Sequence, residues 1–555
     1  MSHYPAQDEV SQLMPTLSYQ RLQTEQPLSD EELYDKLRRT VSNKQELQVL
    51  ESFLIFNKNV LKTNLYQPTK VALSFRLAPN LLPEVEYSKK PLGMFFVIGS
   101  EFRGFHIRFR DVARGRMLFD ENYALIPGHT PGIKEPIVDL YDEPELLFFG
   151  PDEGTADLMD WAANHARSRG APWWESFTTG KSAKLLGGVP HDTYGMTSLP
   201  ARQYILAVYK QMGLREKDVT KIQTGDPDGD LGSNEILLSS DKTIAVIDGS
   251  GVLADPAGLD RTELVRLAKA RKMISHFDKS KLSKDGYVVL CEQHDVKLPS
   301  GEVIADGTDF RNNAHLRFKA DIFVPCGGRP EAINISNVAR LVDHDGKPHF
   351  KYIVEGANLF TTQQARLYLE KRRVILFKDS SANKGGVTSS SPEVLAGLGL
   401  SDSEYIEHKI FKDGKPSSFY ESYVKDMQAI ISNNASLEAG CIQREFQRLN
   451  GSKPRTLISD ELSSKLNDLQ PELESSDMFD DTASHRGVLG RAIPPTLVNQ
   501  VGIDTLLQRL PEPYQRALFS SWVAAHFIYK YGVNGTSVNF FNFARTLAEG
   551  AEAKK

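Results

Sequence analysis

Cysteine is scarce: three residues, Cys291, Cys326 and Cys441, stand in 555 and none forms a CxxC pair. That excludes a disulfide framework or a structural zinc site, and it suits a reducing compartment. Long apolar runs are also missing. Met94 to Ile98 and Trp522 to Tyr529 fall far short of the roughly 18 to 20 residues that span a bilayer, and the polar stretch Met1 to Glu25 carries no signal-peptide core. No sign of charge dominates either. A formal net charge of −6 with 25% charged and 40% hydrophobic residues is the profile of a soluble globular chain and argues against a simple polyanion binder, so neither a nucleic acid nor a membrane is expected as partner. At about 150 residues per domain the length suggests three or four domains.

What is present changes character along the chain. Residues 1–45 are polar, with Pro5, Pro15 and Pro27 and a capping-box pattern at Ser29-Asp30-Glu31-Glu32. From about Glu46, strand patterns dominate: Lys70 to Leu77, Met94 to Ile98, and Phe105 to Arg110, where Phe105, Ile107 and Phe109 share one face. After Glu145-Leu-Leu-Phe-Phe149 short apolar strands alternate with helical stretches. They are Val219 to Gln223, Thr243 to Ile247, Ile322 to Pro325, Tyr352 to Glu355 and Val374 to Phe377. This alternation predicts a parallel, doubly wound sheet. Beyond Ser401 the periodicity is helical, broken by the polar segment Ser452 to Ser484.

Two places carry candidate chemistry. Lys221-Ile-Gln-Thr-Gly225-Asp-Pro-Asp-Gly229-Asp-Leu-Gly232 follows a strand and precedes a helical run, and the next strand ends in Asp248. This is the layout in which glycines let the backbone approach a pyrophosphate and a later acid bonds the ribose 2′-hydroxyl, an acid that favours NAD over NADP. Pro227 holds the place of the first glycine, and Asp226, Asp228 and Asp230 oppose a phosphate. An ordinary βα turn is the alternative. The second place is Gly150-Pro-Asp152-Glu153-Gly-Thr155, where Asp152 closes a strand and opens a helix bearing Leu158, Trp161 and Ala162. Asp152 is either a helix cap or a general acid/base at a strand C-terminus. Gly180-Lys181-Ser182 mimics the end of a P-loop but lacks the earlier glycine and the strand leading in, so Lys181 reads as a loop lysine.

Taken with Thr179-Gly-Lys181, Val354-Glu-Gly-Ala-Asn358 and Ala382-Asn-Lys-Gly-Gly-Val-Thr-Ser-Ser-Ser391, these motifs make the chain resemble the NAD-specific glutamate dehydrogenases of the large fungal type, over most of its length. The resemblance implies an α/β fold: a substrate domain with a mixed sheet, a Rossmann-like doubly wound NAD-binding domain, and a helical C-terminal region. The expected boundaries are 1–45, an extension; 46–200, the substrate-binding and catalytic domain; 201–392, the NAD-binding domain; and 393–555, the helical region. It implies NAD as cofactor, with hydride passing from the glutamate Cα and the product resolving to 2-oxoglutarate and ammonia. Asp152 matches the catalytic aspartate, Arg114 the start of the first substrate-binding segment, and Ser390 the serine near the side-chain carboxylate. Gly229, Gly232 and Asp248 match the nucleotide turn and ribose acid, Asn358 a cofactor-contacting asparagine, and Thr197 the threonine near the nicotinamide amide. Plain capping hydroxyls are the alternative for Thr197 and Ser390. A homo-oligomer in the cytoplasm or mitochondrion is implied as well.

One departure matters. Family members carry a Gly-Gly-x-Lys-Gly loop whose lysine activates the water or amine, and no such loop stands between Gly115 and Gly150; Lys134 in Gly-Ile-Lys-Glu-Pro does not resemble it. Activity is therefore expected to be impaired, with coding sequence missing after Gly115 or the chain diverged. A non-catalytic dinucleotide-binding paralogue or assembly subunit, and another amino-acid dehydrogenase, are the alternative functions.

Overall fold

The computed structural model describes residues 178–225, 227 and 229–548, together with 35, 39, 69–72, 106–109, 159, 160, 163, 164, 167 and 174–176. The chain divides into two compact units. One comprises residues 1–190, 393–420 and 504–511; the other comprises 191–392, 421–503 and 512–555.

The larger unit is organised by a seven-stranded sheet. Its strands are β3 (Thr220–Thr224), β4 (Lys242–Ile247), β5 (Gly251–Ala254), β6 (Tyr287–Leu290), β9 (Ala320–Pro325), β10 (Phe350–Val354) and β11 (Ile375–Phe377), in the order β11-β10-β9-β3-β4-β5-β6. A separate hairpin pairs β7 (His294–Lys297) with β8 (Val303–Asp306). The five strands read from apolar runs pair in parallel, with Ile222 opposite Ala245 on one side and opposite Phe323 on the other. The sequence reading missed β5 and β6. They run antiparallel because β4 does not cross over but turns back through Asp248 to Ser250, with Ile247 paired to Val252.

Alternation on the central strand explains how the layers attach. Ile222 joins Phe323, Ile353 and Leu376 in a fully buried cluster on one face, where Phe323 lies 5.1 Å from Phe350 and 5.6 Å from Phe360, ring to ring. Lys221 and Gln223 point to the other face, beneath α2 (Asp230–Leu238), which follows α1 (Ser198–Met212) in the chain. There Lys221 Nζ reaches Glu235 at 3.0 Å and Asp241 at 2.9 Å, and Gln223 Nε2 donates to the Gly232 carbonyl at 3.0 Å. Ile236, Val246 and Leu253 pack there with Leu264 and Leu267 of α3 (Arg261–Ala270). The helix is thus held to its sheet by polar and apolar contacts together.

Residues 455–474, inside the stretch read as a polar break, form a 20-residue helix. Its polar surface masked a stripe of buried Ile458, Leu462 and Leu473, which explains the misreading. In the helix Glu512–Tyr531, Phe519, Val523, Phe527 and Ile528 are buried, in line with a core role.

The smaller unit pairs β1 (Thr69–Ala72) with β2 (His106–Phe109) antiparallel; β1 overlaps the start of the run Lys70 to Leu77, and β2 lies within the run Phe105 to Arg110. Lys181, read as a loop lysine, does lie outside any helix or strand, but it is fully buried. Its ammonium lies 2.9 Å from Glu393, whose second carboxylate oxygen accepts from the Gly180 N–H at 2.8 Å and the Val189 N–H at 3.2 Å. Burying a charge is tolerable only with such a partner. The adjoining Gly187-Gly188 turn admits nothing larger: a Cβ on Gly188 would lie 2.3 Å from the Lys181 carbonyl oxygen.

In the same unit Ser401 and Glu404 form a capping box on the helix Asp402–His408, and Arg509 lies 2.6 Å from Glu404. Burial opposes ionisation of Glu404, but the Ser401 N–H and Arg509 outweigh it and hold the carboxyl at about 2. A lowered carboxyl pKa gives stability that is present above the ordinary value of 4.5 and lost as pH falls toward 2. Replacing Glu404 by Gln should therefore flatten the acid limb of the unfolding profile in that window; an unchanged limb would refute the role.

Candidate functional site

Strand order reverses at β3: the chain proceeds to β4 on one side and later to β9, β10 and β11 on the other. In open α/β sheets the crevice beyond the strand C-termini at such a point is where ligands bind. Here its floor is nearly bare backbone. Gly225, at the end of β3, has φ +98°, and a Cβ there would lie 2.5 Å from the Gly327 nitrogen and 2.7 Å from the Cys326 carbonyl carbon. Thr224 Oγ1 donates to the Gly327 carbonyl at 2.6 Å, and the Cys326 N–H donates to the Thr224 carbonyl at 2.7 Å. From the next loop, the N–H groups of Gly356 and Ala357 donate to the Pro325 carbonyl at 2.9 and 2.7 Å. A Cβ on Gly356 would meet the Leu231 side chain at 2.8 Å.

The N-terminus of α2 opens onto this floor. Gly229 is its cap residue, has no side chain to occupy the first N–H groups, and leaves them as an anion-favouring end. Gly232, one turn in, is buried and presents its carbonyl to Gln223. Asp230, which reads in sequence as an obstacle to phosphate, is turned aside. Its carboxylate accepts from Thr197 Oγ1 at 2.6 Å and from the Asn234 amide at 3.2 Å, and burial raises its pKa against the Thr197 hydrogen bond. Thr197 therefore sits against the glycine-rich turn that opens α2, and the structure gives its hydroxyl no capping bond to α1.

Asp248 lies at the end of β4 and is almost completely buried. One carboxylate oxygen accepts from the Ser250 N–H at 2.8 Å, the Ser250 hydroxyl at 2.7 Å and the Gly251 N–H at 3.2 Å; the other accepts from the Ile274 N–H at 2.6 Å. Burial raises its pKa despite these donors. Asp248 thus shapes the β4–β5 turn and pins the loop after α3.

Asn358 is exposed beyond β10, and its side-chain oxygen accepts from the Asn383 amide, which also donates to the Gly356 carbonyl at 3.0 Å. The next residue, Leu359, adopts φ +57° and is 63% exposed, an unusual state for a large apolar side chain. It is held by an N–H bond of 2.7 Å to Asp379. Asp379 belongs to a buried cluster with Arg366 and Glu355: Arg366 reaches Asp379 at 2.9 Å and Glu355 at 3.0 Å. Sequence reasoning missed this cluster; the glutamate in the Glu-Gly-Ala-Asn motif is its only visible trace.

Ser390 lies on the helix Gly385–Gly399, and its hydroxyl donates to the Gly386 carbonyl at 3.1 Å. The neighbouring serines diverge: Ser389 lies 2.9 Å from His191 Nε2, and Ser391 lies 3.3 Å from the Tyr514 hydroxyl. A Cβ on Gly386 would lie 3.7 Å from the His191 ring and 3.8 Å from Thr197, so this helix start and Thr197 are neighbours. The structure thus brings Thr197, Gly229, Gly232 and the Gly386 turn together, while Asp248 follows β4 and Asn358 follows β10, two strands separated by β3 and β9. Asp152 and Arg114 lie outside the described residues. Among the described residues no His, Cys, Asp and Glu cluster suits a metal ion, and no helix is long and apolar enough to cross a membrane.

Residues 187–453 match the glutamate/leucine/phenylalanine/valine dehydrogenase family, and residues 32–123 match the catalytic domain of bacterial NAD-glutamate dehydrogenase. The NAD-specific glutamate dehydrogenase of Neurospora crassa is 48% identical over 581 residues, covering 93% of this chain and 55% of that protein. Glutamate dehydrogenase 2 of Dictyostelium discoideum is 46% identical over 576 residues, covering 93% and 55%. The NAD-specific glutamate dehydrogenase of Saccharomyces cerevisiae is 44% identical over 615 residues, covering 97% and 56%. The chain spans about half the length of these relatives.

Proposed function

We propose that this chain, which belongs to the glutamate dehydrogenase family, carries the NAD-dependent oxidative deamination of L-glutamate to 2-oxoglutarate and ammonia. The observation that carries the proposal is the glycine floor at the point where strand order reverses. A Cβ at Gly225 would strike the Cys326 and Gly327 backbone and one at Gly356 the Leu231 side chain, so glycine lets these strand-end loops pack closely around the turn, and the cap of α2 leaves backbone N–H groups for a pyrophosphate. NAD, when bound, supplies the hydride acceptor. Gly229 and Gly232 let the backbone approach it, Asn358 contacts it and Thr197 lies near the nicotinamide amide; Asp248, the acid that the resemblance gives to the adenosine ribose, has its carboxylate taken up by the β4–β5 turn and the Ile274 N–H and acts by holding that strand end in place. Asp152 moves protons to and from the substrate amine, while Arg114 and Ser390 engage carboxylates. The same roles place the substrate domain at 46–200 and the NAD domain at 201–392, in a homo-oligomer of the cytoplasm or mitochondrion.

The missing lysine loop bears on rate rather than on cofactor binding. Neither family match covers residues 124–186. The similarity with the Neurospora protein extends over 581 residues, more than the 555 of this chain. Both facts support a reading in which residues present in the relatives are lacking here, so NADH binding with weak glutamate turnover is expected. Calorimetry tests the first part: no heat of binding at millimolar NADH overturns the nucleotide assignment. Turnover with NAD and glutamate tests the second, and the weak rate should fall further in Asp152→Asn. Gly225→Ala, which places a Cβ against the Gly327 nitrogen, should weaken NADH by about tenfold. Wild-type affinity in that variant would show that the floor is not where the cofactor lies.

A further inference from the structure

Arg271 resolves the paradox of an acid-rich turn at a phosphate site. It follows α3 at φ +49°, a position usually given to Gly or Asn, and its N–H closes the helix on the Ala268 carbonyl at 3.3 Å. Its guanidinium crosses to the nucleotide turn, 42 residues away in sequence, and donates to the Gly229 carbonyl at 2.8 Å. It also donates to the Asp192 carbonyl at 2.9 Å, which accepts from Asn234 at 2.8 Å as well. The side chain is half-buried, and among the described residues its guanidinium meets carbonyl oxygens and no carboxylate at contact distance. A positive charge therefore stands on the cap residue of α2 with no carboxylate in direct contact among the described residues; it acts at longer range on Asp230, and the neighbouring sequence also contributes Asp226 and Asp228.

We propose that Arg271 is a further cofactor-binding residue, supplying the cation that lets this turn accept the diphosphate of a dinucleotide. A guanidinium has five N–H donors, and two carbonyls occupy only part of that set. Its charge offsets the turn's carboxylates, and its planar fork suits phosphate oxygens. The anchoring to Gly229 and Asp192 fixes it beside the helix end where a pyrophosphate is favoured. No motif reports this arginine, because it comes from the helix after the second strand and not from the glycine-rich turn. The inference rests on the proposed NAD site and names one of its ligands.

The test uses the full chain and three probes: NADH, ADP-ribose and adenosine. Arg271→Ala should weaken NADH and ADP-ribose by about tenfold and shift adenosine by no more than about twofold. The salt dependence of ADP-ribose binding should become shallower by about one charge. Arg271→Gln retains donors for the carbonyls and removes the charge, so it should lose ADP-ribose as Arg271→Ala does, which covers the case in which the alanine variant fails to fold. Arg271→Lys should recover part of the loss. Equal loss of adenosine and ADP-ribose would overturn the proposal by showing a structural role alone, and unchanged ADP-ribose binding in Arg271→Gln would overturn it outright. Failure of the wild type to bind NADH or ADP-ribose would instead sink the NAD assignment on which it rests.

Discussion

Lys221→Met should cost the larger unit about 3–5 kcal/mol, the penalty of removing one partner from a buried ion cluster. Lys221 is fully buried on the central strand, with Glu235 at 3.0 Å, Asp241 at 2.9 Å and the Ser239 hydroxyl at 3.1 Å. Arg202 adds a longer contact of 3.5 Å to Glu235 and also pairs with Glu216. Methionine fills much of the same volume, so packing changes little. The cost arises because Glu235 and Asp241, themselves buried, would face each other without the cation between them. Because Glu235 sits on α2, amide exchange in α2 and β3 should report the loss. Lys221→Met combined with Asp241→Asn should recover part of it, since one of the two stranded charges is then gone. Burial lowers the Lys221 pKa, but Asp241 and Glu235 outweigh it and the net shift is upward. A raised lysine pKa gives stability that is complete below the ordinary value and lost as pH rises through the folded one, so the alkaline loss seen in wild type should shrink in the variant. A cost below about 1 kcal/mol would show that the cluster contributes little.

The sheet was legible because its parallel strands are short β-branched runs spaced by helices, and burial on both faces leaves that pattern in the sequence. β5 was not legible. Asp248-Gly249-Ser250-Gly251 works as a hairpin turn, and an acid at a strand end reads equally as a ribose ligand or as a turn former. The glycines of the site were visible, but the reason for Gly225 was not: it is Gly327, brought against it by the fold from about a hundred residues away. Side-chain clusters such as Arg366 with Glu355 and Asp379, or Arg271 over Gly229, join residues of different elements and leave no periodic trace. Asp230 shows what sequence alone leaves out. Its charge in sequence counted against phosphate, yet in the fold Thr197 and Asn234 engage it.

Lys409→Met should do the opposite of Lys221→Met and stabilise the smaller unit at neutral pH by about 1–4 kcal/mol, as replacement of a buried charge by an apolar residue of similar size can. Lys181, Lys409 and Glu393 are all fully buried, and the Glu393 carboxylate acts electrostatically on both lysines. Glu393 is already committed to Lys181 and to two backbone N–H groups. Lys409 lies 4.9 Å from the Tyr420 ring centre, a contact that offsets only part of its desolvation. Burial pulls its pKa down; Glu393 opposes the fall and Lys181 adds to it, leaving a value of about 7 against an ordinary 10.5. Between those values the unfolded chain holds a proton that the folded chain does not, so this group makes wild-type stability rise with pH across the window. Below about 7 its penalty is complete and constant. The gain from Lys409→Met should accordingly be greatest at and below neutral pH and fade toward 10.5, with the wild-type slope abolished. Glu393→Ala removes the shared anion and frees the Gly180 and Val189 N–H groups, so it should destabilise by about 3–5 kcal/mol. If Lys409→Met were less stable than wild type at neutral pH, or kept the same pH slope, the contacts of Lys409 would outweigh its desolvation and the lysine would be a net contributor to stability.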